Sequence, residues 1–133
     1  MFRIKYSREI VLKILYQLDA LKCDAAQSGP VIEEYFKSFR SVNPEEEKFI
    51  RRLVQTVMEQ KQEIDAMITK NLIGWKLERL ALIDRNLLRM GMAEAVFNSE
   101  KPIIIDDLLR IAKKYSDADS YKLINAILDK VLI

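Results

Sequence analysis

Apolar residues recur at three- and four-residue steps along most of this chain, the spacing of helices with one buried face. From Ser7-Arg8-Glu9 onward, Ile10, Val11, Ile14, Leu15, Leu18 and Leu21 share a face, with Arg8, Lys13 and Lys22 turned more nearly away. Asp24 to Pro30, with Gly29-Pro30, reads as a loop, followed by a short helix carrying Val31, Ile32, Tyr35, Phe36 and Phe39. Asn43-Pro44-Glu45-Glu46-Glu47 is a helix start: Asn caps, Pro occupies the first helical position, and the acids meet the positive end of the dipole. That helix is expected to run to between Asn71 and Gly74, burying Phe49, Ile50, Leu53, Val54, Val57, Ile64, Met67 and Ile68. Trp75 to Leu82 reads as a short helix or turn. Asp84 then opens a helix with Leu87, Leu88, Met90, Met92 and Ala95, ending near Phe97. After the break at Asn98 to Pro102, Ile103 to Tyr115 forms another helix, although Ile103-Ile104-Ile105 is a weak strand signal. Ser116-Asp117-Ala118-Asp119 is a junction in which Asp or Ser caps a last helix that buries Leu123, Ile124, Ile127, Leu128 and Val131. The pattern predicts an all-α chain of about seven helices. No linker or internal repeat divides residues 1–133, so a single domain is expected.

Composition narrows the function. In 133 residues, half are hydrophobic and 32% charged, enough for one packed core. Only three Gly and three Pro argue against many-stranded sandwiches and barrels. Histidine is absent, which removes Ser-His, Cys-His and His-zinc chemistry. Cys23 is the one cysteine and forms no internal disulfide, which fits a reducing cytoplasm. The N-terminus Met1-Phe2-Arg3-Ile4-Lys5 lacks the apolar core of a signal peptide, and no run reaches membrane-spanning length, so no membrane role is expected. Asp106 and Asp107 are adjacent on a helix and do not face one another, so they read as helix-start acids rather than as a catalytic or metal pair. No Gly-rich phosphate loop is present. The reading is therefore no enzyme, no cofactor and no metal.

The basic residues carry more. Arg3, Lys5 and Arg8 surround Tyr6, Lys113-Lys114-Tyr115 ends one helix, and Tyr121-Lys122 begins the next. Alone, each cluster is ordinarily a solvated face, and a net charge of +2 does not of itself predict nucleic acid. Brought together, they would form a cationic surface with aromatic rings, which suits unpaired RNA: cations for phosphates, rings for unstacked bases.

An ordered set of residues resembles the bacterial NusB family of transcription antitermination proteins. It runs from Trp75-Lys76-Leu77-Glu78-Arg79-Leu80 through Asp84-Arg85-Asn86-Leu87-Leu88-Arg89-Met90, Glu94, Lys101-Pro102 and Ile105-Asp106-Asp107. It continues with Ala112-Lys113-Lys114-Tyr115, Asp119-Ser120-Tyr121-Lys122-Leu123-Ile124-Asn125 and Leu128-Asp129. Ser7-Arg8-Glu9 and Leu15-Tyr16 fit the family's first helix. The likeness is weak between Cys23 and Asn43.

The resemblance implies two three-helix bundles set around the first helix and a long central one. It implies a scaffold that pairs with NusE, itself a small-subunit ribosomal protein, to bind single-stranded boxA RNA. The pair joins the transcription elongation complex and promotes read-through, notably in ribosomal RNA operons. By the same resemblance the RNA face comprises Arg3, Lys5, Arg8, Asp119, Ser120, Tyr121 and Lys122, and the NusE face comprises Tyr16, Glu78 and Asp84. Asp119 is the discordant acid on a basic surface and doubles as a candidate helix cap. Related proteins occur as monomers or homodimers, and a dimer would cover the RNA face.

The chain departs from the family in places. Its N-terminal basic segment is thin, Ala93 precedes Glu94 where Tyr is common, Asp106-Asp107 replaces Asn-Glu, and Ala126 replaces Gly. Fewer cations imply weaker and less salt-sensitive RNA binding. Two rival readings follow: a protein-only helical adaptor with a decayed RNA surface, and the RNA-binding subunit of an RNA-modifying enzyme whose catalytic domain is a separate polypeptide.

Overall fold

The computed structural model describes residues 4–38 and 42–132, with side chains from Tyr6 onward. Among the described residues it contains seven α-helices, two 3-10 turns and no strand. The helices are α1 (Ile4–Ala20), α2 (Ser28–Ser38), α3 (Pro44–Glu59), α4 (Lys61–Lys70), α5 (Leu82–Glu94), α6 (Lys101–Tyr115) and α7 (Ala118–Leu132). The 3-10 turns are Ala25–Gln27 and Leu77–Arg79.

Helix α5 is the axis. It packs against α1 and α3 on one side, α6 and α7 on another, and carries α4 along its flank. One group of helices (α1 to α3) and another (α5 to α7) therefore share a core through α1 and α5. Ile14, Leu15, Leu18, Ile50, Leu53, Leu87, Leu88, Met90, Leu108 and Ile111 are almost wholly excluded from solvent there. The expected buried faces hold for most positions. Leu21 and Met67 are exceptions and are exposed: Leu21 lies just past the end of α1, and Met67 lies within α4 next to the buried Ile68.

Three local rules act as the sequence suggests. Asn43 accepts from the Glu46 amide and Pro44 opens α3. The isoleucines after Pro102 are helical, since Ile104 and Ile105 are buried in the core, and packing overrides β propensity. Asp117, not Asp119, caps α7, accepting from the Ser120 amide at 2.8 Å.

Several boundaries differ from the periodicity, and α2 begins at Ser28, so Gly29 and Pro30, expected in a loop, lie in the helix. The long helix expected from Pro44 to about Asn71 is broken at Gln60, which leaves helical geometry at φ −108 and ψ 16. Glu59-Gln60-Lys61 are all good helix formers, so the break comes from packing: α4 turns onto α5, where Asp65 receives two hydrogen bonds from Arg89. Helix α5 begins at Leu82, with Asp84 in its first turn rather than at its cap.

Close helix approach occurs at Gly91. A Cβ built there would lie 2.8 Å from Leu108 Cδ1 and 3.0 Å from Leu128 Cδ2. Gly91→Ala must push both leucines aside, and we expect a net loss of about 1–2 kcal/mol by urea unfolding even after the gain in helix propensity. A variant as stable as the parent would show that α6 and α7 yield freely.

Candidate nucleic-acid interface

Ser7, Arg8, Glu9 and Asp19 project from α1, and each finds a partner far away in sequence. Glu9 is the junction of interest. Its carboxylate accepts from Arg110 Nη1 at 3.0 Å, Lys114 Nζ at 3.1 Å and the Tyr115 hydroxyl at 3.2 Å. It therefore ties the start of α1 to the end of α6. Burial pushes the Glu9 pKa up, but the bonds from Arg110, Lys114 and Tyr115 and the Lys114 charge outweigh it and hold the carboxyl below its ordinary value.

From that junction the surface continues into α7. Lys113 Nζ lies 5.5 Å from the centre of the Tyr121 ring, and Lys114 Nζ lies 5.3 Å from that of Tyr115. Lys113, Lys114, Tyr115, Asp119 and Lys122 are exposed, and Ser120 and Tyr121 are half-buried. The α6–α7 junction thus carries cations and two rings side by side, with Asp119 as an exposed acid among them. Arg3 lies outside the described residues. So does the side chain of Lys5, whose backbone is in α1.

Arg8 does not belong to this surface. It is 2% exposed, and its guanidinium is fully engaged within the protein. Nε and Nη2 donate to Glu94 at 2.7 and 2.6 Å, and Nη1 donates to Asp107 at 2.9 Å. The expectation that Arg8 grips phosphate is corrected: two buried carboxylates already occupy its donors. Asp107, read as a plain helix-start acid, is one of them, and it also accepts from Arg110. Glu94 is itself 1% exposed.

The partner-face residues divide in the same way. Tyr16 is 43% exposed and lines an apolar groove of about 380 Å³ with Leu12, Lys13, Tyr35, Ile83 and Tyr115. Glu78 is exposed on the second 3-10 turn. Asp84 is 6% exposed and accepts from the Ser116 hydroxyl at 2.5 Å, which fastens the start of α5 to the α6–α7 junction. Asp84 is thus corrected from a surface acid to a buried brace. The helix-start position is satisfied inside the protein.

Sequence reasoning missed Glu9 and Arg110 as parts of the site. The Asp107–Arg110 pair has a local signal in its three-residue spacing. Glu9 has none, because its partners are more than 100 residues away.

Comparison with known proteins agrees with this architecture. A model of the NusB family matches residues 5–132. The transcription antitermination protein NusB of Syntrophomonas wolfei is 33% identical over 128 residues, covering 95% of this chain and 92% of that protein. The NusB of Koribacter versatilis is 36% identical over 128 residues, covering 94% and 85% respectively. Among solved structures, T. maritima NusB superposes with a TM-score of 0.88 at 28% identity, covering 98% of this chain and 91% of that one. A chain from the crystal structure of antitermination factors NusB and NusE in complex with dsRNA gives 0.85 at 28% identity, covering 96% and 94%.

Proposed function

This chain belongs to the NusB family of transcription antitermination proteins, and from that premise we propose that it binds single-stranded boxA RNA jointly with NusE within the transcription elongation complex. It is a scaffold and not an enzyme. The observation that carries the RNA reading is the α6–α7 junction, which sets Lys113, Lys114, Tyr115, Tyr121 and Lys122 on consecutive elements, with Glu9 tying α1 to Lys114 and Tyr115 at its edge. Ammonium groups hold phosphates, and the two tyrosines offer faces to unstacked bases. The NusE face is the apolar groove at Tyr16, lined also by Leu12, Tyr35 and Ile83, together with Glu78, an exposed acid on the second 3-10 turn. An apolar anchor site and an exposed acid suit a basic ribosomal protein.

Paired variants test both faces. Lys122→Glu is expected to weaken boxA RNA about tenfold and leave NusE affinity unchanged. Glu78→Lys is expected to weaken NusE several-fold and leave intrinsic RNA affinity unchanged. Asp84 is unsuitable for this purpose, since its replacement disturbs a buried brace. Equal loss of both affinities in either variant would defeat the assignment of faces.

A second reading, a protein-only adaptor, is favoured by one feature. Arg8, Arg110 and Lys114 are each already paired with acids of the same chain. It prevails if, with NusE present, boxA binds no better than a scrambled sequence across a salt titration.

A further inference from the structure

The carboxylate of Glu9 gathers three donors of three different chemistries, guanidinium, ammonium and phenol, within 3.0 to 3.2 Å. A nucleic-acid phosphate makes the same demand, an anionic oxygen pair ringed by cationic and hydroxyl donors. The groups Glu9 holds are those at the exposed edge of the candidate RNA surface. The Lys114 side chain is 56% exposed and Tyr115 is 39% exposed, whereas the Glu9 side chain is 12% exposed. Arg110 is anchored from behind, donating through Nε to Asp107 at 2.8 Å while Nη1 faces Glu9. One donor is therefore fixed in the protein, whereas Lys114, paired with Glu9 and lying over the Tyr115 ring, is exposed to solvent.

We propose that Glu9 is an internal stand-in for an RNA phosphate, holding Lys114 and Tyr115 while the surface is empty and yielding Lys114 to the RNA backbone on binding. This rests on the RNA reading above and adds a residue that sets affinity without touching RNA. Two consequences follow. RNA binding requires exchange of one ion pair for another, so Lys114 adds less affinity than an unpaired surface lysine would. The Lys114–RNA contact also becomes stronger when Glu9 loses its charge.

The test measures boxA RNA affinity across a monovalent salt series for the parent, Glu9→Gln, Lys114→Gln and the double variant, with NusE present throughout. Glu9→Gln is expected to bind about fivefold to tenfold more tightly. Lys114→Gln is expected to flatten the slope of log affinity against log salt by about 0.7, the value for one phosphate contact on a single strand. The double variant is expected to lose most of the gain made by Glu9→Gln, since that gain acts through Lys114. A gain that persists undiminished in the double variant would mean that Glu9 acts only as a distant charge, and would overturn the proposal. An unchanged salt slope in Lys114→Gln would also overturn it, and this measurement stands even if Glu9→Gln fails to fold, because Lys114 is a surface residue. A parent chain with no preference for boxA over scrambled RNA would instead bring down the RNA reading itself, which is read on the parent alone.

Discussion

Arg8→Ala is expected to lower the unfolding free energy by about 3–5 kcal/mol, the largest loss foreseen for any single charged residue of this chain. The reason is what it leaves behind. Glu94 and Asp107 have side-chain exposures of 1% and 9%, and without the guanidinium their charges are buried with one partner fewer. Asp107 keeps Arg110 and Glu94 keeps the Asn98 amide, which are incomplete replacements. On a domain of this size that corresponds to a fall in melting temperature of roughly 10 °C or more. Chemical denaturation of parent and variant measures it. A loss below about 1 kcal/mol is what an exposed phosphate ligand would give, and would return Arg8 to the RNA surface. The Arg8→Met/Glu94→Gln/Asp107→Asn combination should recover part of the stability, because it removes the stranded charges along with the cation.

The second large effect is an acid-labile brace at Asp19. Its carboxylate accepts from Arg85 through Nε and Nη2 at 2.7 Å, from Asn86 at 2.9 Å and from Arg89 at 2.9 Å, which locks α1 to α5. Burial raises its pKa, but these bonds and the two arginine charges prevail and bring it from 3.8 to about 2. The folded-state value lies below the unfolded one. The stabilisation is therefore fully present above about pH 4 and is lost as pH falls through about 2. A shift of this size corresponds to about 2 kcal/mol, and the 10% side-chain exposure of Asp19 leaves little solvent screening to reduce it. Asp19→Asn is expected to be less stable by about 2 kcal/mol or somewhat more at pH 7, with the gap closing between pH 4 and 2. Urea unfolding across that range checks it. A gap independent of pH would show that Asp19 acts by packing and hydrogen bonding alone.

Both predictions concern arginines and acids that sequence periodicity treats as surface. Arg8 falls off the apolar stripe of α1, and off-stripe arginines are normally solvated. Here the helix meets α6 as well as α5, so its apparent outer face is also covered, and Arg8 finds Glu94 and Asp107 there. Among the described residues no buried side-chain nitrogen or oxygen lacks a partner, so this polar layer is complete rather than residual. Two such layers, around Arg8 and around Asp19, fix the placement of α1 against α5. Pairing of this kind depends on geometry more than hydrophobic contact does, and helix packing inherits its precision.

The described residues also bear on how far the basic surface extends. Its legible part lies at the α6–α7 junction. The α1 residue that the structure shows bonded to this junction is Glu9, an acid. Lys122→Glu and Glu9→Gln are accordingly expected to move RNA affinity in opposite directions, although both residues neighbour the same junction.

By itself the sequence determined the class of fold, the existence of nearly every helix, the cap at Asn43, most of the core and the resemblance to a family. These follow from three- and four-residue periodicity and from residue-by-residue capping chemistry, which are local. Tertiary structure alone decided that the helix after Asn43 stops at Gln60, that Arg8 and Asp84 are interior, that Gly91 is where helices touch, and that Glu9 gathers donors from more than 100 residues away. The physical reason is common to all four. Burial and ion pairing depend on which faces meet in space, and a helix whose second face is also covered carries no mark of it in its own spacing.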